Sequence, residues 1–323
     1  MNILNLAYNN DTSLLTCGTT DGFYLYKLNK IQKYSYTNTT NSVGIVKMLD
    51  RTNISIIVDR MDTGVNSHVL YLLDKKKGEV LVTIDVQEPI LNAHVIRNEN
   101  NIIELIIVLK NKVCRYGQHG DPIDSKNTMD NPNGLCVVNK KIIATLGCNI
   151  GDIAIWNIKM DEYNTVNSHN SNITSIALSS DNEYIASASE AGTNVHVYNT
   201  NNSEGQKVYS FKRGTFGAKI YDLCFNNDNT HLVCCGNTGT IHVFKLNDDD
   251  EKTKNIISKF FRTRSFKKID IENKDRMICS FDKDNNLNIV VYDGTYYKIN
   301  GENYEIIKCC NLYVKTEKLS NSK

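Results

Sequence analysis

Short runs of alternating apolar and polar residues, broken by turns rich in Asn, Asp and Gly, recur along the whole chain. In two segments, 173–198 and 220–244, the order is the same: strand, Asp-Asn turn, strand, Gly-Thr turn, strand. Because successive residues of a strand face opposite ways, this alternation predicts antiparallel β-hairpins rather than helices. The Gly and Asn positions mark the hairpin turns.

The same unit is repeated at a period typical of a propeller blade, which takes roughly 40 to 45 residues for four strands. One copy ends in Trp156-Asn157, close to the Trp-Asp ending of a WD-type blade. We therefore predict an all-β, seven-bladed β-propeller of the WD40 type, closed as a single domain over residues 1–323. We expect the terminal strands to complete one shared blade. Weaker or strand-rich copies of the unit lie at 3–28, 43–73, 89–116, 134–158 and 264–313.

Composition limits what such a propeller can bind. Lys plus Arg (37) nearly balance Asp plus Glu (36), so we expect no nucleic-acid binding, and any electrostatic docking must come from a local patch. The ten cysteines show no C-x-x-C spacing, which favours small buried side chains in a reducing compartment over a metal site. The first residues contain no basic segment followed by an apolar run, and no stretch approaches the roughly 18 apolar residues of a membrane helix. We expect a soluble, cytoplasmic protein without a metal or cofactor.

Catalytic motifs are missing from the sequence. There is no nucleophile elbow with a Ser-His-Asp order, no Gly-rich phosphate loop and no His or Cys cluster with metal-ligand spacing. Acidic residues such as Asp11, Asp181 and Asp228 fall at turns, where Asx-turn chemistry explains them. The sequence therefore predicts a binding protein and not an enzyme.

Several motifs occur in a fixed order along the chain. Residues 131–136 read Asn-Pro-Asn-Gly-Leu-Cys, residues 210–215 read Ser-Phe-Lys-Arg-Gly-Thr, and residues 293–298 read Asp-Gly-Thr-Tyr-Tyr-Lys. They are preceded by Tyr-Asn-Asn-Asp-Thr at 8–12 and Gly-Phe-Tyr-Leu-Tyr at 22–26. In these motifs the chain resembles the PROPPIN family, the phosphoinositide-binding β-propellers of autophagy, over most of its length.

The resemblance implies binding of phosphatidylinositol 3-phosphate, of the 3,5-bisphosphate, or of both. It also implies recruitment of autophagy-type protein partners, such as lipid-transfer or conjugation machinery. We expect a monomer in the cytoplasm that associates peripherally with phagophore, endosomal or vacuolar-type membranes. The alternative is a WD-repeat scaffold that binds only proteins, with weak or no lipid binding. Liposome flotation with and without the 3-phosphate lipid separates the two.

The basic doublet at positions 212 and 213 is the centre of the predicted site. Because successive strand residues face opposite ways, the two side chains would enter different clefts beside one blade. Hydroxyl and imidazole groups at the flanking Gly-Thr hairpins would complete two phosphate cages. The first half-site consists of Lys212, Ser189, Thr193 and His196, and the second consists of Arg213, Asn237, Thr240 and His242.

This chain departs from the family pattern in both half-sites, with Gly236 and Asn237-Thr238 beside the second, but only the first has lost its central arginine. The family carries Arg at the position of Lys212 and commonly at that of His196, so we expect weaker binding there, since lysine lacks the bidentate fork of arginine. Protonation of His196 and His242 would strengthen the cages. The competing interpretations are a solvated basic loop and half-buried strand histidines. His169, just before a first strand, is expected to tie its loop to the blade.

Residues 247–263 form a second candidate region within the propeller. The segment is acidic at first and then becomes basic and apolar. Paired apolar residues beside several Lys and Arg are typical of an interfacial membrane anchor. A charged loop that runs into a strand is the alternative. The predicted membrane contacts are Ile256, Ile257, Phe260 and Phe261.

Overall fold

The computed structural model describes residues 2–39, 41–200, 205–246 and 263–313, and every helix-or-strand element in these ranges is a β-strand. The strands form seven sheets, which confirms the predicted all-β, seven-bladed propeller. Within a blade the strands pair antiparallel, with one short parallel pair as the exception among the described residues.

The strands are numbered in chain order, and the blades in the order in which they begin. Blade 1 contains β1 (Ile3–Tyr8), β2 (Leu14–Thr19), β3 (Gly22–Lys27) and β4 (Gln32–Asn38), and blade 2 contains β5 (Ser42–Met48), β6 (Ile54–Arg60), β7 (Asn66–Asp74) and β8 (Glu79–Asp85). Blade 3 contains β9 (Asn92–Arg97), β10 (Ile103–Val108), β11 (Lys112–Gly117) and β12 (Pro122–Asn127). Blade 4 contains β13 (Cys136–Val138), β14 (Ile142–Leu146), β15 (Asp152–Asn157) and β16 (Glu162–Asn167). Blade 5 contains β17 (Ile173–Leu178), β18 (Tyr184–Ser189), β19 (Asn194–Asn199), β20 (Lys207–Lys212) and β24 (Thr263–Arg264). Blade 6 contains β21 (Ile220–Phe225), β22 (His231–Gly236), β23 (Thr240–Lys245) and β25 (Lys267–Asp270). Blade 7 contains β26 (Met277–Phe281), β27 (Leu287–Val291), β28 (Thr295–Ile299) and β29 (Ile306–Asn311).

The hydrophobic core lies between neighbouring blades. Middle strands such as β2, β14 and β27 are buried at every position, because both faces of each blade pack against the next one. Outer strands such as β12 and β29 are largely exposed. The first strands of successive blades contact one another around the ring, so they line the central channel.

The sequence analysis predicted that the terminal strands complete one shared blade, and this prediction about ring closure was wrong. Blade 1 takes all its strands from the amino-terminal part of the chain and blade 7 takes all its strands from 277–311. Side chains join the two blades instead: Tyr8 donates a hydrogen bond to the Asn288 carbonyl at 3.1 Å, and the hydroxyls of Thr12 and Ser280 lie 2.6 Å apart. Leu6 and Leu15 of blade 1 pack in one apolar cluster with Val290 and Tyr296 of blade 7.

The strand-rich pattern of residues 264–313 had indicated one blade, but the segment does not form a single blade. β24 pairs in parallel with β20 on the outer side of blade 5, and β25 then becomes the outer strand of blade 6. The chain therefore returns to blade 5 before it completes blade 6. Blade 7 begins only at Met277.

The turns follow the predicted chemistry. Asn182 and Asn229 of the two Asp-Asn turns have positive φ (68° and 53°), a conformation that asparagine tolerates. Gly192 of the first Gly-Thr turn has φ 57°, and a Cβ there would lie 1.8 Å from the Ala218 carbonyl oxygen. Only glycine fits this turn, which connects β18 to β19 and packs against Ala218 in the connection between blades 5 and 6.

The ten cysteines all lack disulfide partners, and six of them are buried, while Cys148 and Cys309 are exposed. Within the described ranges no helix is long and apolar enough to span a bilayer.

Candidate functional site

The basic doublet lies where the outer strand of blade 5 ends. Lys212 is the last residue of β20 and pairs with Asn194, and Phe211 pairs with Val195. Arg213 follows directly, and its amide donates to the Thr193 carbonyl at 2.8 Å. Both cations therefore lie beside the Gly-Thr turn between β18 and β19.

One face of blade 5 packs against blade 4. Ile185 and Tyr198 belong to the apolar cluster that contains Ile153 of blade 4. His196 lies two residues before Tyr198 on the same strand and pairs with Ser187, so it shares this face. By the same register, Ser189 and Lys212 lie on this face too. Lys212, Ser189 and His196 thus border the cleft between blades 4 and 5.

The opposite face packs against blade 6. Phe211 stacks on Phe244 with ring centroids 4.7 Å apart. Arg213 lies two residues beyond Phe211. Its positive charge adds to the effect of burial in lowering the pKa of His242, and it opposes the rise that burial gives to the pKa of the Cys234 thiol in blade 6. Arg213 therefore borders the cleft between blades 5 and 6, on the other side of the blade from Lys212.

In the first cleft the histidine is held by structural contacts. His196 stacks on His169 at 4.5 Å with nearly parallel rings, and its Nδ1 lies 2.9 Å from the Ser168 carbonyl oxygen. Nε2 of His169 lies 3.1 Å from the Ser187 hydroxyl, so His169 ties the loop after β16 to blade 5, as the sequence indicated. Burial, reinforced by His196, lowers the pKa of His169 to about 4.

The remaining groups of this cleft differ in accessibility. Ser189 is buried, whereas Lys212 and Thr193 are partly exposed. The Thr193 hydroxyl accepts a hydrogen bond from the Asn194 side-chain amide at 3.2 Å. The buried Oδ1 of Asn194 has no hydrogen-bond partner among the described residues. Of the four residues predicted for this cleft, Lys212 therefore provides an accessible cation and Thr193 an accessible hydroxyl.

In the second cleft the arginine is both buried and anchored. Arg213 is 8% exposed, its Nε donates to the Gly192 carbonyl, and one Nη donates to the Phe216 carbonyl. An arginine carries five N–H donors, so three remain for a ligand. Two N–H groups of the guanidinium thus link the carbonyls of Gly192 and Phe216, and the remaining N–H groups are held in a fixed position in the cleft.

His242 faces Arg213 from blade 6. It is 4% exposed, and its Nδ1 has no hydrogen-bond partner in the described part of the chain. Burial first, then the charges of Arg213 and Lys268, lower the pKa of His242 to about 4. A buried ring nitrogen without a partner is costly, and a ligand oxygen in the cleft would satisfy it.

The other two predicted residues of this cleft already have partners. Thr240 donates its hydroxyl to the Asp270 carboxylate at 2.9 Å. Asn237 accepts a hydrogen bond from the Lys219 amide at 3.0 Å and is exposed. Asp270 adds a negative charge next to the cleft, which opposes phosphate binding at Thr240.

Two basic residues near the clefts were missed by sequence reasoning. Lys268 lies directly opposite His242 across the β23–β25 pair, and Arg264 lies opposite Lys212 across the parallel β20–β24 pair. Both are exposed. The alternation Lys268-Ile269-Asp270 indicates a strand with two polar residues on one face, but nothing in the sequence says which blade that strand joins.

The predicted membrane contacts Ile256, Ile257, Phe260 and Phe261 lie outside the described residues, as does most of the 247–263 segment. An apolar side chain that the sequence analysis did not select lies beside the clefts. Phe216, whose carbonyl holds Arg213, is 85% exposed.

Comparison with known proteins gives matches over most of the chain. A family model described as PROPPIN matches residues 3–260. SVP1-like protein 2 of Neurospora crassa is 28% identical over 245 residues, which cover 76% of this chain and 56% of that protein. Autophagy-related protein 18 of Dictyostelium discoideum is 26% identical over 250 residues, which cover 76% of this chain and 65% of that protein. The chain thus spans less than two thirds of the length of these two relatives.

Solved structures share the fold at low sequence identity. Hsv2 of Kluyveromyces marxianus superimposes with a TM-score of 0.81 at 18% identity, covering 97% of this chain and 99% of that one. KlAtg21, solved in complex with the coiled coil of AgAtg16, gives a TM-score of 0.78 at 21% identity, covering 96% and 99%.

Proposed function

Since the chain belongs to the PROPPIN family, we propose that it docks onto membranes by binding phosphoinositides in the two clefts beside blade 5. The lipids would be phosphatidylinositol 3-phosphate, the 3,5-bisphosphate, or both. The observation that carries the proposal is the placement of Lys212 and Arg213 on opposite faces of one blade, each at the mouth of a different cleft. Two cations so placed give two separate phosphate sites rather than one.

The second cleft has the better-organised groups. Arg213 is held by two backbone carbonyls, so little side-chain entropy is lost when its remaining N–H groups bind a phosphate. The unpartnered Nδ1 of His242 supplies a neutral donor in the tautomer that protonates it. Lys268 adds a second charge that offsets Asp270. A phosphate oxygen between these groups would satisfy each of them.

The first cleft depends on Lys212 and on the strand that returns beside it. Lysine acts as a point charge without a bidentate fork. Arg264 lies opposite Lys212 and is exposed, so it supplies the guanidinium that the doublet itself lacks on this side. We therefore assign Arg264 to this half-site together with Lys212, Ser189, Thr193 and His196.

Membrane contact would come from apolar side chains next to the clefts. Phe216 is exposed at the turn after Arg213, where a headgroup in the second cleft would bring it to the lipid surface. An aromatic ring in this position gains free energy by entering the interface. Ile256, Ile257, Phe260 and Phe261 remain predicted contacts of the same kind.

On the membrane the protein would recruit autophagy-type partners from the cytoplasm. The relative KlAtg21 has been solved with the coiled coil of AgAtg16, which supports a protein partner of this class for the present chain. A scaffold that binds only proteins is the second candidate. It is favoured by the hydrogen bonds that already occupy Thr240 and part of Arg213.

Flotation with phosphatidylcholine vesicles, with or without phosphatidylinositol 3-phosphate, tests the proposal. We expect the protein to float only with vesicles that contain the 3-phosphate lipid, and unphosphorylated phosphatidylinositol serves as the matched control. Vesicles with the 3,5-bisphosphate then rank the two lipids. A folded protein that floats with none of these vesicles would be the scaffold and not the lipid binder.

A further inference from the structure

A cavity of about 330 Å³ lies at one mouth of the central channel. It is lined by residues from the first strands of blades 1, 2, 3, 4 and 7 and from the turn after β1, including Tyr8, Lys47, His94, Val137 and Ser280. These residues lie towards the carboxyl ends of their strands. The clefts beside blade 5 lie at the other end, because Ser189 pairs with Ile173, the first residue of β17. The cavity is therefore separate from the proposed lipid sites.

Lys47 is the cation of this cavity, and it has no acidic partner among the described residues. Its Nζ donates to Oδ1 of Asn92 at 2.8 Å and lies 3.2 Å and 3.3 Å from the two ring nitrogens of His94. Both partners are neutral groups. A half-buried ammonium without a counter-ion is costly, since the loss of water is not offset by an opposite charge.

The other titratable groups around Lys47 do not supply that charge. Burial raises the pKa of the Cys136 thiol to about 12 and raises the pKa of Tyr8 well above its usual value. Burial and the Lys47 charge both lower the pKa of His94, so this ring stays neutral. Burial lowers the pKa of Lys47 itself to about 7. Asp222 is half-buried on β21 and its charge contributes to the raised pKa of Tyr8, but it does not line the cavity. Its carboxylate accepts hydrogen bonds from the Leu223 and Cys279 amides. The residues that line the cavity therefore supply one ionisable cation and no anion near neutral pH.

We propose that this cavity binds a small monocarboxylate with an apolar body, whose carboxylate pairs with the ammonium of Lys47. The apolar part of the wall is formed by side chains such as Met48, Val137 and Val138. The volume is at the lower end of the range for small-molecule sites, about 300 to 1,000 Å³, and suits a compact acid.

The supply of donors favours a carboxylate over a phosphate. The Tyr8 hydroxyl donates to the Asn288 carbonyl, the Asn9 amide bonds Asp11 and Ser13, and the Asn10 amide donates to Asp50 at 2.7 Å. The N–H groups of Lys47 are therefore the main donors left in the cavity. A phosphate carries up to two charges and three acceptor oxygens, which need more donors than these.

Ligand-observed NMR on the full chain tests the assignment with acetate, butyrate, hexanoate and inorganic phosphate as probes. We expect saturable binding of the carboxylates that tightens by up to about fourfold per added methylene, because the chain enters the apolar part of the cavity. At this cavity, where binding is measured by competition with hexanoate, inorganic phosphate should compete more weakly than butyrate. The Lys47→Met variant keeps the side-chain volume, removes the charge and should weaken butyrate binding at least about tenfold.

A second measurement needs no variant. Hexanoate should protect Lys47 from an amine-directed reagent, followed by peptide mass spectrometry, while the exposed Lys268 keeps its labelling rate. Binding should also take up a proton near pH 8, because the bound anion raises the pKa of Lys47. Absence of both saturable binding and protection overturns the proposal, as does phosphate that protects Lys47 from labelling at a lower concentration than butyrate does. Flotation of Lys47→Met should equal that of the wild type, so failure here is distinct from failure of the lipid sites.

Discussion

At the scale of single residues, the two cations of the basic doublet differ in their burial and in their hydrogen bonds to the backbone. Lys212 borders its cleft partly exposed, whereas Arg213 is buried and holds the carbonyls of Gly192 and Phe216. The second position therefore carries both the ligand chemistry and part of the local fold. This difference decides how substitutions there must be tested.

We expect Arg213→Ala to lose more affinity for vesicles with the 3-phosphate lipid than Lys212→Ala, because only arginine offers several fixed donors to a phosphate. Arg213→Ala should also lower the free energy of unfolding by about 1 to 3 kcal/mol, since two carbonyls lose their donor. Vesicle titration and thermal denaturation measure the two effects.

Two conservative variants separate binding from folding at this doublet. Arg213→Lys keeps the charge but not the fork, and Lys212→Arg restores the fork on the other side. The first should weaken lipid binding and the second should strengthen it. Equal losses from the two alanine variants, in proteins of equal stability, would contradict the assignment.

The sequence analysis expected protonation of His196 and His242 to strengthen binding, and this stays a prediction. With its pKa lowered to about 4, His242 of the free protein is neutral between pH 7.5 and 6 and adds no charge to the cleft. Protonation instead favours the unfolded chain, where the pKa is near 6.5. The contribution of His242 to the free energy of unfolding is fully present above pH 6.5. It falls as the pH drops towards 4, by up to about 1.4 kcal/mol per pH unit.

Chemical denaturation at pH 7 and pH 5 checks this dependence. His242→Gln should reduce the loss in the free energy of unfolding between pH 7 and pH 5. His169→Gln should have the same effect, because the pKa of His169 is also lowered to about 4. His68, which is exposed and paired with Asp85, is the matched control, because its replacement removes an imidazole that is not buried. A wild-type stability that is flat from pH 7 to 5 would contradict the buried, neutral state of both rings.

At the scale of elements, the short strands β24 and β25 bring basic residues to both clefts. The alternation of β25 places Lys268 and Asp270 on the face towards blade 5, opposite His242 and Thr240. Lys267 lies opposite Val243, which packs in the cluster shared with blade 7. Neighbouring lysines of one strand thus face different blades.

We expect Lys268→Ala to weaken binding of the 3-phosphate lipid severalfold, and Lys267→Ala to have a smaller effect, because only the first faces the second cleft. Lys268→Ala should also raise the pKa of His242, measured by NMR titration, since the Lys268 charge lowers it. If both lysine variants lose the same affinity, the effect is a general attraction to anionic vesicles and not a site.

At the scale of the whole molecule, membrane residence should need two signals together. Headgroup contacts at the rim of a propeller are screened by salt and give modest affinity. Full burial of an apolar side chain contributes about 1.5 to 3 kcal/mol, and an interface gives part of that. Neither signal alone is expected to hold the protein on a vesicle.

Replacing Ile257, Phe260 and Phe261 with Ser should abolish flotation and leave binding of the soluble inositol-phosphate headgroup unchanged. Phe216→Ser should weaken flotation in the same selective way, whereas Arg213→Ala should weaken both measurements. Circular dichroism before lipid is added is the control for folding. An unfolded triple variant would assign these residues to the core, and unchanged flotation of the folded triple variant would remove them from the membrane contact.

Repeats with a fixed internal order were enough to predict the blade number and the turns. Alternation is a local property, so the strands at 173–198 and 220–244 and the glycine at 192 are encoded within one hairpin each. The doublet could also be assigned to two faces of one strand, because that depends only on the period of two. The family resemblance came from motifs that lie within such local segments.

Tertiary structure alone decided how distant segments meet. Ring closure by the packing of blade 1 on blade 7, the return of β24 to blade 5 and the lowered pKa of His242 all depend on neighbours remote in sequence. The same holds for Lys47, whose partners in a channel come from another blade. Strand periodicity fixes which side a residue faces, but burial and the neighbouring charges depend on which blade comes to lie against that side.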